Sequence, residues 1–557
     1  MKFPSALVWG LGSLICASAD AAASNTPVVD TGASIVISSN SIVRTIPHTL
    51  YGANLEWTLN ADETWDYSQD WFKSSDINSA VQFGIGQVRF PGGVYADDYN
   101  WQNGVGPRSQ RPTDTPTGWD RGRYPNPVGT DEVIALSRLA GAAMPIFQTA
   151  INAPVGLAAG ISPAQLAAQW VRYCNAQNNP QRAANGSVQP YGVKYWEIGN
   201  EPYYQTKDEM TVAQYASTLK SFASAMKAVD PSIKIGAVSS PDPAVAGWNP
   251  TLIRSAASSI DFVAVHDAYA PVFNGASSVK GASFDQVYQA MMAFPLTVAS
   301  NLSGMEQEVR QNAAPADASR IRFAVTEWGP LFSQSSQSDW YDHTRTLGSA
   351  LFVASMLETF IRDTKLDVAN FFKFADPLEM GMASDAGIAK VSGNVFQLFT
   401  QHFGNTLVES SVSSPTYNSV ATGNIPATAE VPYLDAVSSL SVDGNTLFLL
   451  AVNKSMNASM QTGIKLNGFI PAANAITWTI KAASIDANNG ADIDPAVAPS
   501  LGVSVPAQIV APVGSLYAAG APNAVAIAKG AIGNAASSFS YSFAPMSVTV
   551  IEFKRAQ

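Results

Sequence analysis

The sequence predicts an α/β fold, a closed (β/α)8 TIM barrel with an accessory C-terminal antiparallel β-sandwich that includes an N-terminal strand segment. Three observations predict it. Between about residues 50 and 402, short apolar runs alternate with longer stretches of helical periodicity, the signature of βα units around a parallel sheet. Eight such runs can be placed, enough to close a barrel, and no Gly-rich phosphate fingerprint follows the first one, which weakens an open dinucleotide-binding sheet. After His402 the helical period fades into short alternating runs punctuated by Asn, Gly and Pro, as in a sandwich.

The expected barrel strands are Tyr51–Glu56, Ile85–Phe90, Met144–Thr149, Lys194–Ile198, Ile233–Val238, Phe262–His266, Arg322–Thr326 and Val368–Phe374. Each is short and apolar, as a strand buried on both faces must be. Helical patterns lie between them at Asp131–Ala142, Pro163–Asn178, Val212–Val229 and Asp342–Asp363, the second opened by Ser162 as N-cap with Pro163 at the first helical position. The segment Gly92–Thr130, rich in Gly, Pro, Trp and Asp, reads as a long loop over the catalytic face of the barrel. Expected sandwich strands include Leu447–Val452, Ile476–Ile480, Leu501–Val505 and Ser547–Phe553. Val28–Arg44 alternates in the same way and should join them. The organisation that follows is residues 1–23 as a signal peptide, 24–48 as N-terminal strands of the sandwich, 49–403 as barrel and 404–557 as sandwich.

Composition narrows the class. With 46% hydrophobic and 13% charged residues, the 557-residue chain can bury a large core and does not resemble a disordered protein. A net charge of −11 argues against a nucleic-acid partner, which needs a basic surface. Lys2 followed by the apolar stretch Ala6–Ala17 and small residues at Ala19, Ala21 and Ala23 reads as an export signal, so a secreted or periplasmic location is expected. That stretch is too short, and too interrupted by Gly10 and Gly12, to span a membrane. Removing it takes Cys16 and leaves Cys174 without an internal partner. Triplets for N-glycosylation start at Asn185, Asn301, Asn453 and Asn457. The sequence says nothing of oligomeric state.

Two motifs carry chemistry. Trp196-Glu197-Ile198-Gly199-Asn200-Glu201-Pro202 ends the fourth strand, and Val325-Thr326-Glu327-Trp328-Gly329 ends the seventh. Both place a Glu at the C-terminal rim, where barrels of this kind keep their active sites. Glycoside hydrolysis needs two opposed carboxyl groups, one protonated for the leaving group and one ionised to attack. The pair Glu201 and Glu327 meets that need. Asn200 suits a sugar hydroxyl, Trp328 offers an apolar wall, and Glu197 would lie deeper in a structural role. Arg89 is expected to pair with the nucleophile or the barrel interior. Asp97-Asp98 reads as a solvated loop pair. With no HExxH, no paired cysteines, no EF-hand loop and only four His, neither metal nor cofactor is expected.

These motifs resemble the pattern of the clan of retaining (β/α)8 glycosidases, and within it the chain is most similar to the α-L-arabinofuranosidases of glycoside hydrolase family 51. Tyr51-Gly52-Ala53-Asn54-Leu55-Glu56 resembles that family's first-strand motif, Val88-Arg89-Phe90-Pro91-Gly92-Gly93 its second and Val265-His266-Asp267-Ala268-Tyr269 its sixth-strand rim. Phe543–Val550 resembles the closing sandwich strand. The resemblance implies Glu201 as acid/base, Glu327 as nucleophile, and Glu56, His266 and Tyr269 as pocket residues. The sequence departs from the family at Val94, where Asn is usual, and near the eighth strand, where Lys373 and Asp376 stand in the neighbourhood of an expected Gln. The expected function is therefore a secreted, retaining, exo-acting arabinofuranosidase-like hydrolase. Its rivals are a same-clan enzyme for a β-D-galactofuranoside, β-xyloside or β-glucuronide, a transglycosylase, and a catalytically dead carbohydrate-binding barrel.

Overall fold

The computed structural model describes residues 32–114, 124–154, 156–204, 209–266, 282–330, 341–376, 380–384, 388–490 and 523–557. All eight expected strands form, as Gly52–Asn54, Val88–Phe90, Ile146–Thr149, Tyr195–Ile198, Lys234–Ser239, Phe262–Val265, Arg322–Trp328 and Leu366–Phe371. They pair in parallel in chain order, and the eighth returns to the first to close the barrel. A helix follows each strand in turn: Ser74–Phe83, Thr130–Ala140, Pro163–Asn175, Val212–Lys227, Trp248–Ala256, Phe284–Asn312, Leu347–Arg362 and Val391–His402.

Local sequence sets the helix ends. Ser162, Thr211 and Ser283 each accept a bond from the backbone N–H of the Gln three residues on, while that Gln reaches back to the cap N–H, so two orphan donors are satisfied reciprocally. Two of the expected helices fall furthest short of their patterns. Pro163–Asn178 stops at Asn175, because Asn179 and Pro180 cap and open a separate short helix. Asp342–Asp363 begins at Leu347, where Thr346 caps it after a 3-10 turn over Tyr341–Arg345.

The barrel interior divides into two layers. Ile146, Phe262, Ala264, Ala324 and Val368 form an apolar plug toward the N-terminal end of the strands. One side-chain period further along, the inward positions turn polar, with Asn54, Arg89, Gln148, Glu197 and Thr326 all fully or almost fully buried. The outward neighbours Trp196, Ile198, Val263, Val265, Phe323 and Val325 pack under the helices. The plug keeps water out from below and forces the polar layer to satisfy itself.

Nine strands form a second, mainly antiparallel sheet. The N-terminal strand Ala33–Thr45 enters it as expected, antiparallel to Thr406–Ser413 and parallel to Met460–Asn467. Thr446–Asn453, Pro471–Lys481 and Ser547–Arg555 contain three of the expected strands, while Leu501–Val505 and residues 1–31 lie outside the described residues. The run Leu447-Phe448-Leu449-Leu450-Ala451-Val452 is apolar on both faces for a reason: Leu447, Leu449 and Ala451 fill the sheet's own core, and Leu450 and Val452 pack against the barrel cluster. Asn453 cannot carry a glycan in this fold, because it is buried and donates to the carbonyls of Ala458, Phe543 and Ala544. Cys174 is a buried free thiol. Among the described residues no helix is long and apolar enough to cross a membrane.

Leu450 has no exposed surface at this seam. Leu450→Ala is expected to cost about 2–5 kcal/mol, read as a lower urea midpoint at unchanged slope.

Candidate active site

Arg89 stands on the second strand and points into the barrel with no exposed surface. Its Nε and Nη2 bond Glu197 Oε2 and Oε1 at 2.8 and 3.0 Å, a bidentate pair across the barrel. Its Nη1 reaches Glu327 Oε1 at 2.7 Å and Asn54 Oδ1 at 2.9 Å, and its Nη2 also meets Asn200 Oδ1 at 3.3 Å. Burial would lower its pKa, but Glu197 and Glu327 outweigh burial and raise it. Burial likewise pushes Glu197 upward, and the cationic Arg89 and the bonds to His266 pull it below the ordinary range, so it stays ionised. The expected partnership of Arg89 with the nucleophile is thus half of its work. The other half is holding Glu197, which lies deeper than Glu201.

Glu327 faces inward because the seventh strand is irregular at its end. Its pairing with the eighth strand shifts register between Val325 and Trp328, which lets Thr326 and Glu327 both turn toward the barrel axis. Trp328 consequently points outward. Its ring is fully buried against Phe360, Phe371 and Phe396, so it packs the barrel against the helices and does not wall the pocket as expected from the motif.

Glu201 follows the fourth strand and keeps a quarter of its side chain exposed (26%). Its backbone is left-handed (φ 41°), a conformation a non-glycine residue holds only when its surroundings impose it. Asp97 supplies part of that constraint. Its two carboxylate oxygens accept the backbone N–H groups of Ile151 and Asn200, both at 3.2 Å, which ties the ends of strands three and four to the loop after strand two. Asp97 and Asp98 are buried where a solvated pair is expected, and Asp97 is a structural brace; only this partnering, invisible in sequence, distinguishes a brace from a solvated carboxylate. Asn200 Oδ1 accepts from Gln148 Nε2 at 2.9 Å as well as from Arg89, which turns its NH2 to the opposite side.

His266 joins the two rim carboxylates. Its Nδ1 lies 3.1 Å from Glu201 Oε1 and 3.7 Å from Glu327 Oε1, and its Nε2 lies 3.4 Å from Glu197 Oε1. Burial would lower its pKa, but three carboxylates raise it to about 10, so it is an imidazolium at neutral pH. One oxygen each of Glu201 and Glu327 and a ring nitrogen of His266 all lie within 4.8 Å of one another. Such a trio has the donor types of a metal site, yet its charge is already met by the imidazolium and by Arg89.

Glu56 lies beside this group, buried at the end of the first strand, and contributes to the field felt at Glu327. Gly92 and Gly93 wrap around it, and a Cβ on Gly93 would overlap Glu56 Oε1, which is why the turn uses glycine there. Its other oxygen accepts from Lys373 Nζ at 2.7 Å. Tyr269 lies outside the described residues. Of the aromatics, Trp57 donates to the Tyr95 carbonyl and Trp101 stacks on Trp170, so both serve packing.

A closed parallel barrel whose fourth and seventh strands bring two carboxylates together at the C-terminal rim, over a buried arginine, defines a glycoside hydrolase. Comparison with known proteins narrows this. The family described as "Alpha-L-arabinofuranosidase 1 domain" matches residues 80–271, and that described as "Alpha-L-arabinofuranosidase C-terminal domain" matches residues 326–509. The chain is 27% identical over 441 residues to the probable alpha-L-arabinofuranosidase C of Aspergillus terreus, covering 75% of this chain and 82% of the relative. It is 26% identical over 429 residues to the intracellular exo-alpha-(1->5)-L-arabinofuranosidase 1 of Bacillus subtilis, covering 72% and 79%. Its fold matches the arabinose complex of the Thermotoga maritima α-L-arabinofuranosidase with a TM-score of 0.76 at 24% identity, over 94% of this chain and all of the other. The chain is a distant relative of the family 51 α-L-arabinofuranosidases.

Two predictions follow from the geometry. Arg89→Met leaves Glu197 and Glu327 buried without their cation, and it is expected to cost about 3–5 kcal/mol of stability together with turnover, measured by urea unfolding and by initial rates. His266 is raised on folding from an ordinary 6.5 to about 10. Its contribution is therefore complete below pH 6.5 and is lost as pH rises through 10. Unfolding free energy should fall between those limits in the wild type, and His266→Gln should flatten that part of the profile.

Proposed function

We propose that this chain is a retaining, exo-acting α-L-arabinofuranosidase that uses Glu327 as nucleophile and Glu201 as acid/base. The single observation that carries the mechanism is the approach of the two carboxylates to within 4.8 Å, oxygen to oxygen. Retention needs carboxyl groups about 5–5.5 Å apart, whereas an inverting pair stands about 6.5–9.5 Å apart to hold a water between them. Glu327, bonded to the Arg89 guanidinium, is held in place for attack. Glu201, a quarter exposed and 3.1 Å from His266 Nδ1, is placed to give a proton to the departing oxygen and take one from the incoming water. Attack by Glu327 breaks the anomeric C–O bond and forms a glycosyl ester, which water then cleaves with inversion a second time.

The sugar rests on the relatives, which are named as arabinofuranosidases and in two cases as exo-acting. Action after export rests on Lys2 and the apolar stretch Ala6–Ala17 with small residues behind it. An N-terminal sequence of the mature protein beginning after residue 17 supports export, and one beginning at the first residues refutes it.

The test is hydrolysis of 4-nitrophenyl α-L-arabinofuranoside, β-D-galactofuranoside, β-D-xyloside and β-D-glucuronide, with the anomer of the first-formed product read by NMR. The expected result is release from the arabinofuranoside with retained configuration, background rates for Glu327→Ala, and a loss of about 10²–10⁴-fold in kcat for Glu201→Ala. Inverted product refutes the double displacement, and turnover of another glycoside alone refutes the sugar.

A further inference from the structure

Next to the catalytic pair lies a second buried charge cluster that the mechanism does not use. Lys373, beyond the eighth strand, is almost fully buried and its Nζ bonds Glu56 Oε2 and Asp62 Oδ1, each at 2.7 Å, with Asp376 Oδ1 at 3.8 Å. Asp62 is held there by an unusual stretch of backbone. Asn60, Ala61, Asp62 and Glu63 all have left-handed φ values of 54, 57, 55 and 61°, four successive non-glycine residues in a conformation that crowds Cβ against the backbone. That turn also brings Asp62 Oδ2 onto the backbone N–H of Glu56 at 2.7 Å. Glu56 is thus gripped at its main chain by Asp62 and at its carboxylate by Lys373, while Gly93 gives room to its second oxygen, Oε1. Strain of this kind persists only where the surrounding contacts over-determine it, and it concentrates at sites where a side chain must be aimed.

We infer that Lys373 and Asp62 form a clamp that aims Glu56 Oε1 at a hydroxyl group of the glycon, and that the clamp restricts the enzyme to uncharged sugars. An unpaired lysine at this place would invite a sugar carboxylate. Here its ammonium is taken by two carboxylates, with a third nearby, and the adjoining catalytic group adds Glu197, Glu201 and Glu327 against Arg89 and His266. Burial already pushes the Glu56 and Asp62 carboxyls upward against the pull of Lys373, so a uronide would put one more buried carboxylate beside groups that resist ionisation. A sugar hydroxyl, donating to Glu56, meets no such penalty. Lys373 is a positioning residue, acting through Glu56.

This inference rests on the proposed glycosidase reading, and the experiment separates the two. Kinetics on 4-nitrophenyl α-L-arabinofuranoside are compared for the wild type, Lys373→Met, Glu56→Gln and the double variant, with thermal melts as a check on folding. The expected result is a KM about 10-fold higher in each single variant, kcat within about threefold, and a double variant no worse than the worse single one. Unchanged KM in a folded Lys373→Met, additive losses in the double variant, or wild-type turnover of the β-D-glucuronide overturns the clamp. A wild type inert on every aryl glycoside defeats the arabinofuranosidase reading instead. Crystal structures of wild type and Lys373→Met then decide the inference: a Glu56 carboxylate displaced from Gly93 upholds it, and one left in place overturns it.

Discussion

The arginine at position 89 is the constraint on which the rest of the site depends. A guanidinium with no access to water can exist only if its donors are bonded and its charge is met, and here it takes Glu197, Glu327, Asn54 and Asn200 to do so. Those four partners come from the first, fourth and seventh strands and the loop after the fourth, so one buried cation fixes the relative positions of half the barrel rim. The apolar plug beneath it raises the stakes by excluding the water that would otherwise substitute for a missing partner.

Around that anchor the site is built by sharing acceptors. Glu327 is bonded to Arg89 and stands near His266; Glu201 bonds His266; Asn200 is bonded by both Arg89 and Gln148. The two rim carboxylates are therefore not equivalent. Glu327 meets a permanent cation in the dry interior, whereas Glu201 sits higher, more exposed, on a left-handed backbone braced by Asp97. That difference in surroundings suits the two different roles proposed for them.

The sheet beyond the barrel contributes stability to this arrangement without entering it. Leu450 and Val452 belong to the same apolar cluster as the helices that follow strands seven and eight, so the sheet backs the part of the barrel that carries Glu327 and Lys373. The N-terminal strand stitches the two together, since Ala33–Thr45 is bonded within the sheet and leads directly into the first barrel strand.

By itself the sequence determined the architecture and the two rim glutamates, because strand periodicity, helix caps and the Asn-Glu and Thr-Glu motifs are local patterns and local patterns survive in a linear text. It also ranked Glu197 below Glu201 from strand alternation alone. Tertiary structure decided everything that depends on which distant residue arrives at a given atom. Trp328 turned outward because a register shift at the end of the seventh strand broke the simple alternation. Asp97 became a brace, and Lys373 became the partner of Asp62 and Glu56, over sequence separations of 103, 311 and 317 residues. No spacing rule links residues that far apart. Only closure of the barrel brings their charges together, and once water is excluded each buried charge must take whichever partner the closure delivers.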